Sequence, residues 1–191
     1  MKNYCYLDIP QHEVISNLVY NYLIINYDIL KFQFWTDIDS KALCKEVPEL
    51  KQALDSLNLT IATASIIRTI GTCPIHVDYG KPPHTVSRPR VLWPIKNCDG
   101  SSTNFFHIER QWLQERQLPN GIPYYHIEYT DPLVMIDSFE LKQPAVIDPN
   151  VAHNVVCNRM HEEHRISLTI ETIEDINYLL NKTPDKGGPG A

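Results

Sequence analysis

His76-Val77-Asp78 sets an imidazole and a carboxylate two residues apart. In a β-strand, residues two apart project from the same face, so His76 and Asp78 would point together with Val77 behind them. One further imidazole from elsewhere in the chain would complete one face of an octahedral ion and leave three positions open. That arrangement suits non-haem Fe(II), which must accept both a co-substrate and dioxygen. The triplet alone is frequent on protein surfaces by chance, so the third ligand matters. His153 is the candidate, because it follows the turn former Asp148-Pro149-Asn150 and opens the β-like run Asn154-Val-Val-Cys157. His161 and His164 are rivals, but they sit among Arg159, Glu162 and Glu163, as in a solvated loop. His84, His107 and His126 read as structural or surface residues.

A second group lies further on. Arg165-Ile-Ser-Leu-Thr-Ile-Glu171 alternates strictly, with Ile166, Leu168 and Ile170 on one face and Arg165, Ser167, Thr169 and Glu171 on the other. Polar side chains on one face of an interior strand are unfavourable unless they line a wet or ligand-filled space. A guanidinium makes a forked, charge-assisted contact with a carboxylate, and a serine hydroxyl adds another bond. The bland alternative is an ion pair between Arg165 and Glu171. Asn97 follows a strand that would flank such a space, where it either meets a co-substrate or satisfies a turn. Arg88 and Arg90, on either side of Pro89, either orient an anion or are solvated. Trp35, Trp93 and Trp112 read as core residues.

The elements that must position these groups change character along the chain. Residues 11–22 place Val14, Leu18 and Tyr22 at helical spacing, and residues 48–57 do the same with Leu50, Leu54 and Leu57 behind Pro48, a residue suited to a first turn. From residue 65 onward, short β-branched runs bounded by turn formers take over: 65–70, 90–95, 125–129, 133–136, 154–157 and 165–171. Residues 173–180 read as a closing helical turn or strand. The expected fold is mainly β (α+β), a double-stranded β-helix or jelly roll with N-terminal helices packed on an outer face. One domain is expected over 1–182, with an α/β part at 1–62 and a barrel at about 63–173. The glycine- and proline-rich stretch 183–191 has nothing to dock and reads as a disordered tail.

The bulk composition narrows the function. A formal net charge of −6 without a basic stripe argues against a grip on nucleic-acid backbones. The 5 cysteines are scattered and show no close metal-binding or redox spacing. With no basic-then-apolar leader and no long apolar run, a reduced, cytoplasmic setting without a membrane anchor is expected.

Residues 66–170 resemble the Fe(II)- and 2-oxoglutarate-dependent dioxygenase superfamily. The resemblance rests on Ile66-Ile67-Arg68 leading into Cys73-Pro-Ile-His-Val-Asp78, on Arg90-Val-Leu-Trp-Pro-Ile-Lys-Asn-Cys98, on Val146-Ile-Asp-Pro-Asn-Val-Ala-His153, and on Arg165-Ile-Ser167. It implies His76, Asp78 and His153 as ligands of Fe(II), Arg165 and Ser167 as the anchor for the distal carboxylate of 2-oxoglutarate, and dioxygen at the last open position. Oxidative decarboxylation to succinate and hydroxylation of an unactivated C–H bond would follow. The superfamily's nucleic-acid demethylase branch carries a second arginine six residues after the first; this chain has Glu171 there. A small molecule, amino acid or peptidyl side chain is therefore the expected substrate, with residues 80–89 as a covering loop. The interval 159–164 is longer than usual and reads as an enlarged hairpin loop. Two other readings stay open: a cupin-like metal protein without 2-oxoglutarate chemistry, and a non-catalytic jelly-roll interaction module.

Overall fold

Alternating β-rich segments can bury their apolar sides only by stacking as layers, and here they form two antiparallel sheets. The structure is a computed structural model that describes residues 2–28, 35–78, 88–107, 112–117, 123–128, 133–157 and 164–182. Along the chain these form β1 (Tyr4–Tyr6), α1 (His12–Asn26), β2 (Trp35–Ile38), α2 (Ser40–Glu46), α3 (Pro48–Ser56), β3 (Ile61–Thr69), β4 (His76–Val77), β5 (Arg90–Lys96), β6 (Ser101–His107), β7 (Trp112–Gln117), β8 (Pro123–Glu128), β9 (Val134–Glu140), β10 (Ala145–Ile147), β11 (His153–Cys157), β12 (Arg165–Thr172) and α4 (Ile176–Lys182). The first sheet runs β1-β10-β5-β12-β3-β2 and the second β7-β8-β4-β11-β6-β9. This is the expected mainly-β, jelly-roll-like architecture.

The first sheet has two differently used faces. Val91, Trp93 and Ile95 of β5 and Ile166, Leu168 and Ile170 of β12 join Ile15, Val19, Leu23, Leu43, Leu50 and Leu54 from the helices in one core. The alternate residues of the same strands turn toward the second sheet. The helices thus cover an outer face, as expected. Pro48 opens α3, with Leu50 and Leu54 fully buried. Asp39 caps α2, accepting from the Lys41 and Ala42 amides at 2.9 and 3.0 Å.

One helix face differs from expectation. Val14 is 54% exposed, and the buried stripe of α1 is Ile15, Val19, Tyr22 and Leu23. The reason is local. Ser16 takes the Trp93 indole N–H at 3.0 Å and donates to the Pro94 carbonyl at 2.6 Å, which turns the helix so that its neighbours at Ile15 and Val19 pack inward. Residues 173–180 resolve into the helix α4, with Asp175 accepting from the Asn177 and Tyr178 amides. Strands β1, β2, β6, β7 and β10 and helix α2 were not expected from the sequence. No helix among the described residues is long and apolar enough to cross a membrane. The tail 183–191 and nearly all of the 80–89 loop lie outside the described residues, as do 158–163 of the long interval.

Candidate metal centre

The second sheet presents His76 and His153 side by side, because β4 and β11 pair antiparallel with these two residues directly opposite. Their ring centroids are 4.5 Å apart. Behind them Ile75, Val77, Ile127 and Ala152 form a small apolar cluster that fixes which way the strand faces. Asp78 follows β4, its amide donating to the Pro149 carbonyl at 2.9 Å, which ties it to the turn that leads into β11. The ligand atoms of His76, Asp78 and His153 all lie within 4.8 Å of one another. His76 Nε2 is 3.5 Å from Asp78 Oδ1, and His153 Nε2 is 3.9 Å from Oδ2. Neighbouring donors on a first-row ion with bonds of ~2.1 Å stand about 3 Å apart. The group is therefore close to a ligating geometry.

Both imidazoles are oriented in the same way. Nδ1 of His76 lies 2.8 Å from the Pro74 carbonyl, and Nδ1 of His153 lies 2.8 Å from the Val151 carbonyl. A carbonyl only accepts, so each Nδ1 carries the proton and each Nε2 turns toward the carboxylate, the usual preparation of a metal-ligating histidine. Burial, and then the neighbouring His76, push His153 down to about 4, so its Nε2 is unprotonated at neutral pH. Burial opposes charge on His76 too, but Cys73, Asp78 and the Pro74 carbonyl outweigh it and raise it to about 9. Burial would raise the Asp78 carboxyl; Arg90 first, then His153 and His76, hold it below its ordinary value. In the metal-free protein one proton therefore stands among the three ligands at neutral pH, on His76.

Arg90 is not solvated. It is buried, with Nη1 3.0 Å from Asp78 Oδ2, Nη2 3.3 Å from Glu171 Oε1, and Cζ 4.7 Å from the centre of the Trp35 ring. Its burial and its ion pairs with Asp78 and Glu171 are what the sequence did not reveal. Trp35 accordingly lines this inner region, whereas Trp93 is core as expected; the Trp112 side chain lies outside the described residues.

Because Glu171 engages Arg90, it does not pair with Arg165. Arg165 is 2% exposed, and its Nε has no hydrogen-bond partner among the described residues. Ser167 Oγ and Thr69 Oγ1 are likewise buried and unpartnered there, as are Thr103 Oγ1 and Thr169 Oγ1. Thr69 stands directly across from Arg165 on β3. Ser167, Thr169 and Glu171 share the β12 face opposite the helix core, and the Glu171–Arg90–Asp78 contacts show that this face looks toward the histidine-bearing sheet. An unsatisfied buried polar group costs about 1–3 kcal/mol, and a charged one more. A buried guanidinium whose Nε, like the hydroxyls beside it, has no hydrogen-bond partner among the described residues fits an anionic ligand such as a carboxylate.

Asn97 takes the turn role. It sits at φ +53° after β5, and its amide donates to the His164 carbonyl at 3.2 Å. His164 also meets the Arg68 guanidinium, so the residue before Arg165 is tied to two neighbouring strands. It stands outside the His76, Asp78 and His153 group, and His161 lies outside the described residues. His126 is paired with His76 across β8 and β4, a neighbour the sequence did not reveal because strand pairing is not written locally.

No protein-family model matches the sequence, and no curated protein matches it either. Among solved structures, the chain is similar to hydroquinone 1,2-dioxygenase PnpCD, crystallised with Cd2+ and 4-hydroxybenzonitrile, at 13% identity and TM-score 0.30, over 60% of this chain and 58% of that one. It is also similar to E. coli ycfD at 14% identity and TM-score 0.38, over 77% of this chain and 39% of that one. The chain thus spans less than two thirds of either neighbour's length.

Proposed function

We propose that this chain is an Fe(II)- and 2-oxoglutarate-dependent oxygenase that hydroxylates a small molecule, an amino acid or a peptidyl side chain. The observation that carries this reading is the pairing of two sets on facing sheets: three clustered metal-type donors on one, and on the other the buried Arg165 Nε, Ser167 Oγ and Thr69 Oγ1, which have no hydrogen-bond partner among the described residues. A cupin-like metal site alone leaves the second set unexplained, and an interaction module leaves both.

Bound Fe(II) with 2-oxoglutarate would supply dioxygen activation, one oxygen atom entering succinate as CO2 leaves and the other entering a substrate C–H bond. The chain's own residues do the rest. His76 and His153 offer Nε2, held by the Pro74 and Val151 carbonyls, and Asp78 offers a carboxylate kept ionised by Arg90. Arg165, Ser167 and Thr69 hold the distal carboxylate of the co-substrate, which gives the buried guanidinium a counter-charge. Phe105, fully buried with its ring centroid 6.0 Å from that of His153, excludes water from one side of the ligand group.

Calorimetric titration tests the reading. Mn(II)-loaded protein should bind 2-oxoglutarate at micromolar concentration and release succinate when given Fe(II) and air. Metal binding with no response to 2-oxoglutarate would instead identify a cupin-like metal protein.

A further inference from the structure

Arg90 reaches the ligand group from the opposite sheet and meets Asp78 at Oδ2. Its Nη1 is 3.0 Å from Oδ2, while Oδ1 is the oxygen nearer His76, at 3.5 Å. The guanidinium is itself fixed three ways. Glu171 binds Nη2 at 3.3 Å from the residue directly opposite on β12, the Trp35 ring lies beneath Cζ at 4.7 Å, and the side chain is buried. An arginine fork can bind two carboxylates with separate nitrogens, which a lysine point charge cannot do with the same geometry.

A carboxylate can bind a metal through one oxygen or both. If both oxygens of Asp78 were used, the protein would fill four of six positions and leave two. Oδ2 lies 3.9 Å from His153 Nε2, so both oxygens border the ligand group, but Oδ2 shares its charge with the Arg90 cation; Oδ1 is then the freer donor, and ligation through it alone leaves three positions open. We propose that Arg90 is a positioning residue that restricts Asp78 to single-oxygen ligation and so preserves the third open position, with Glu171 and Trp35 holding Arg90 in place. This proposal rests on the metal reading above and adds to it the role of a residue that contacts no substrate. It also accounts for Glu171: the strand carries a carboxylate there because it must balance and aim an arginine supplied by β5.

The test counts water on the metal. Mn(II) is bound to the full chain without co-substrate, and the number of coordinated waters is read from the broadening of its electron paramagnetic resonance lines in oxygen-17 water. The wild type should show three waters, Arg90→Met two, and Arg90→Lys three, because a cation at Oδ2 is restored. If Arg90→Met fails to fold, the double variant Arg90→Met/Glu171→Gln, which removes both members of the ion pair, carries the count and should also show two. Three waters in the folded Met variant, or two in Arg90→Lys, would overturn the proposal, the latter by assigning the effect to lost packing. If the wild type binds no Mn(II), the metal reading itself fails, an outcome distinct from an unchanged water count.

Discussion

The space between the two sheets is built in two ways. Toward β1, β10 and β9 it is filled by Leu92, Cys98, Phe105, Phe139, Leu141, Ala145 and Ile147, with Tyr4 stacked on Phe139 at 4.4 Å and Tyr6 donating to the Glu140 carbonyl at 2.7 Å. Toward β12 and β3 it holds Arg165, Ser167, Thr169 and Thr69, all buried, each with a polar atom that has no hydrogen-bond partner among the described residues. One half behaves as a conventional core in which burial stabilises the fold. The other sacrifices stability, since each unsatisfied group would be cheaper to replace with an apolar one. A ligand can complete such groups, and the co-substrate site proposed above lies in this half.

Substitutions on either side of the divide should separate stability from binding. The largest effect belongs to the apolar half: Phe139→Ala should lower stability by about 3–5 kcal/mol in denaturant unfolding, through lost burial and a cavity. Metal affinity of the folded variant should stay within a few-fold. Arg165→Leu should do the reverse. Removal of a forked charge-assisted contact should weaken 2-oxoglutarate binding about 100-fold by calorimetry, while stability of the free protein holds or rises. An unfolded Arg165→Leu would erase the distinction between the halves.

Smaller effects sharpen the same contrast. With His153 at about 4 and Asp78 lowered, both are ready ligands at neutral pH, whereas His76, at about 9, must lose a proton. Metal affinity should therefore rise about tenfold per pH unit from pH 6 toward 9 and then level, with about one proton released per metal at pH 7. A pH-independent affinity would contradict this proton count. Ser167→Ala should have the smallest effect: about a five- to tenfold loss in 2-oxoglutarate affinity and a change in stability of at most about 1 kcal/mol.

Much of this was legible in the sequence, and the physical reasons differ by feature. The period-2 alternation of Arg165 to Glu171 is a local property of one strand, and both faces took the expected sides. The His76-Val77-Asp78 triplet is local too, and Val77 does lie behind it, fully buried. His153 was marked locally by the turn former before it and the β-like run after it, but nothing local states that β11 pairs with β4 and sets it opposite His76. Arg90 was illegible as a buried ion-pair partner because Asp78, Glu171 and Trp35 are brought to it by three different connections. In α1, Tyr22 and Leu18 pack against the core as expected and only Val14 turns outward, while Ser16, polar by composition, is buried through its bonds to Trp93 and Pro94. Short strands such as β1 and β2 lack enough residues for periodicity to declare itself.

The central claim is that metal donors and an anion-binding fork on facing sheets serve one co-substrate. Its most direct test is the visible absorption of the anaerobic protein with Fe(II), before and after addition of 2-oxoglutarate. The account predicts a weak charge-transfer band that appears only when both are present, is lost in His76→Ala, and requires far more 2-oxoglutarate in Arg165→Leu. A protein that binds Fe(II) but shows no spectral change at saturating 2-oxoglutarate would contradict it.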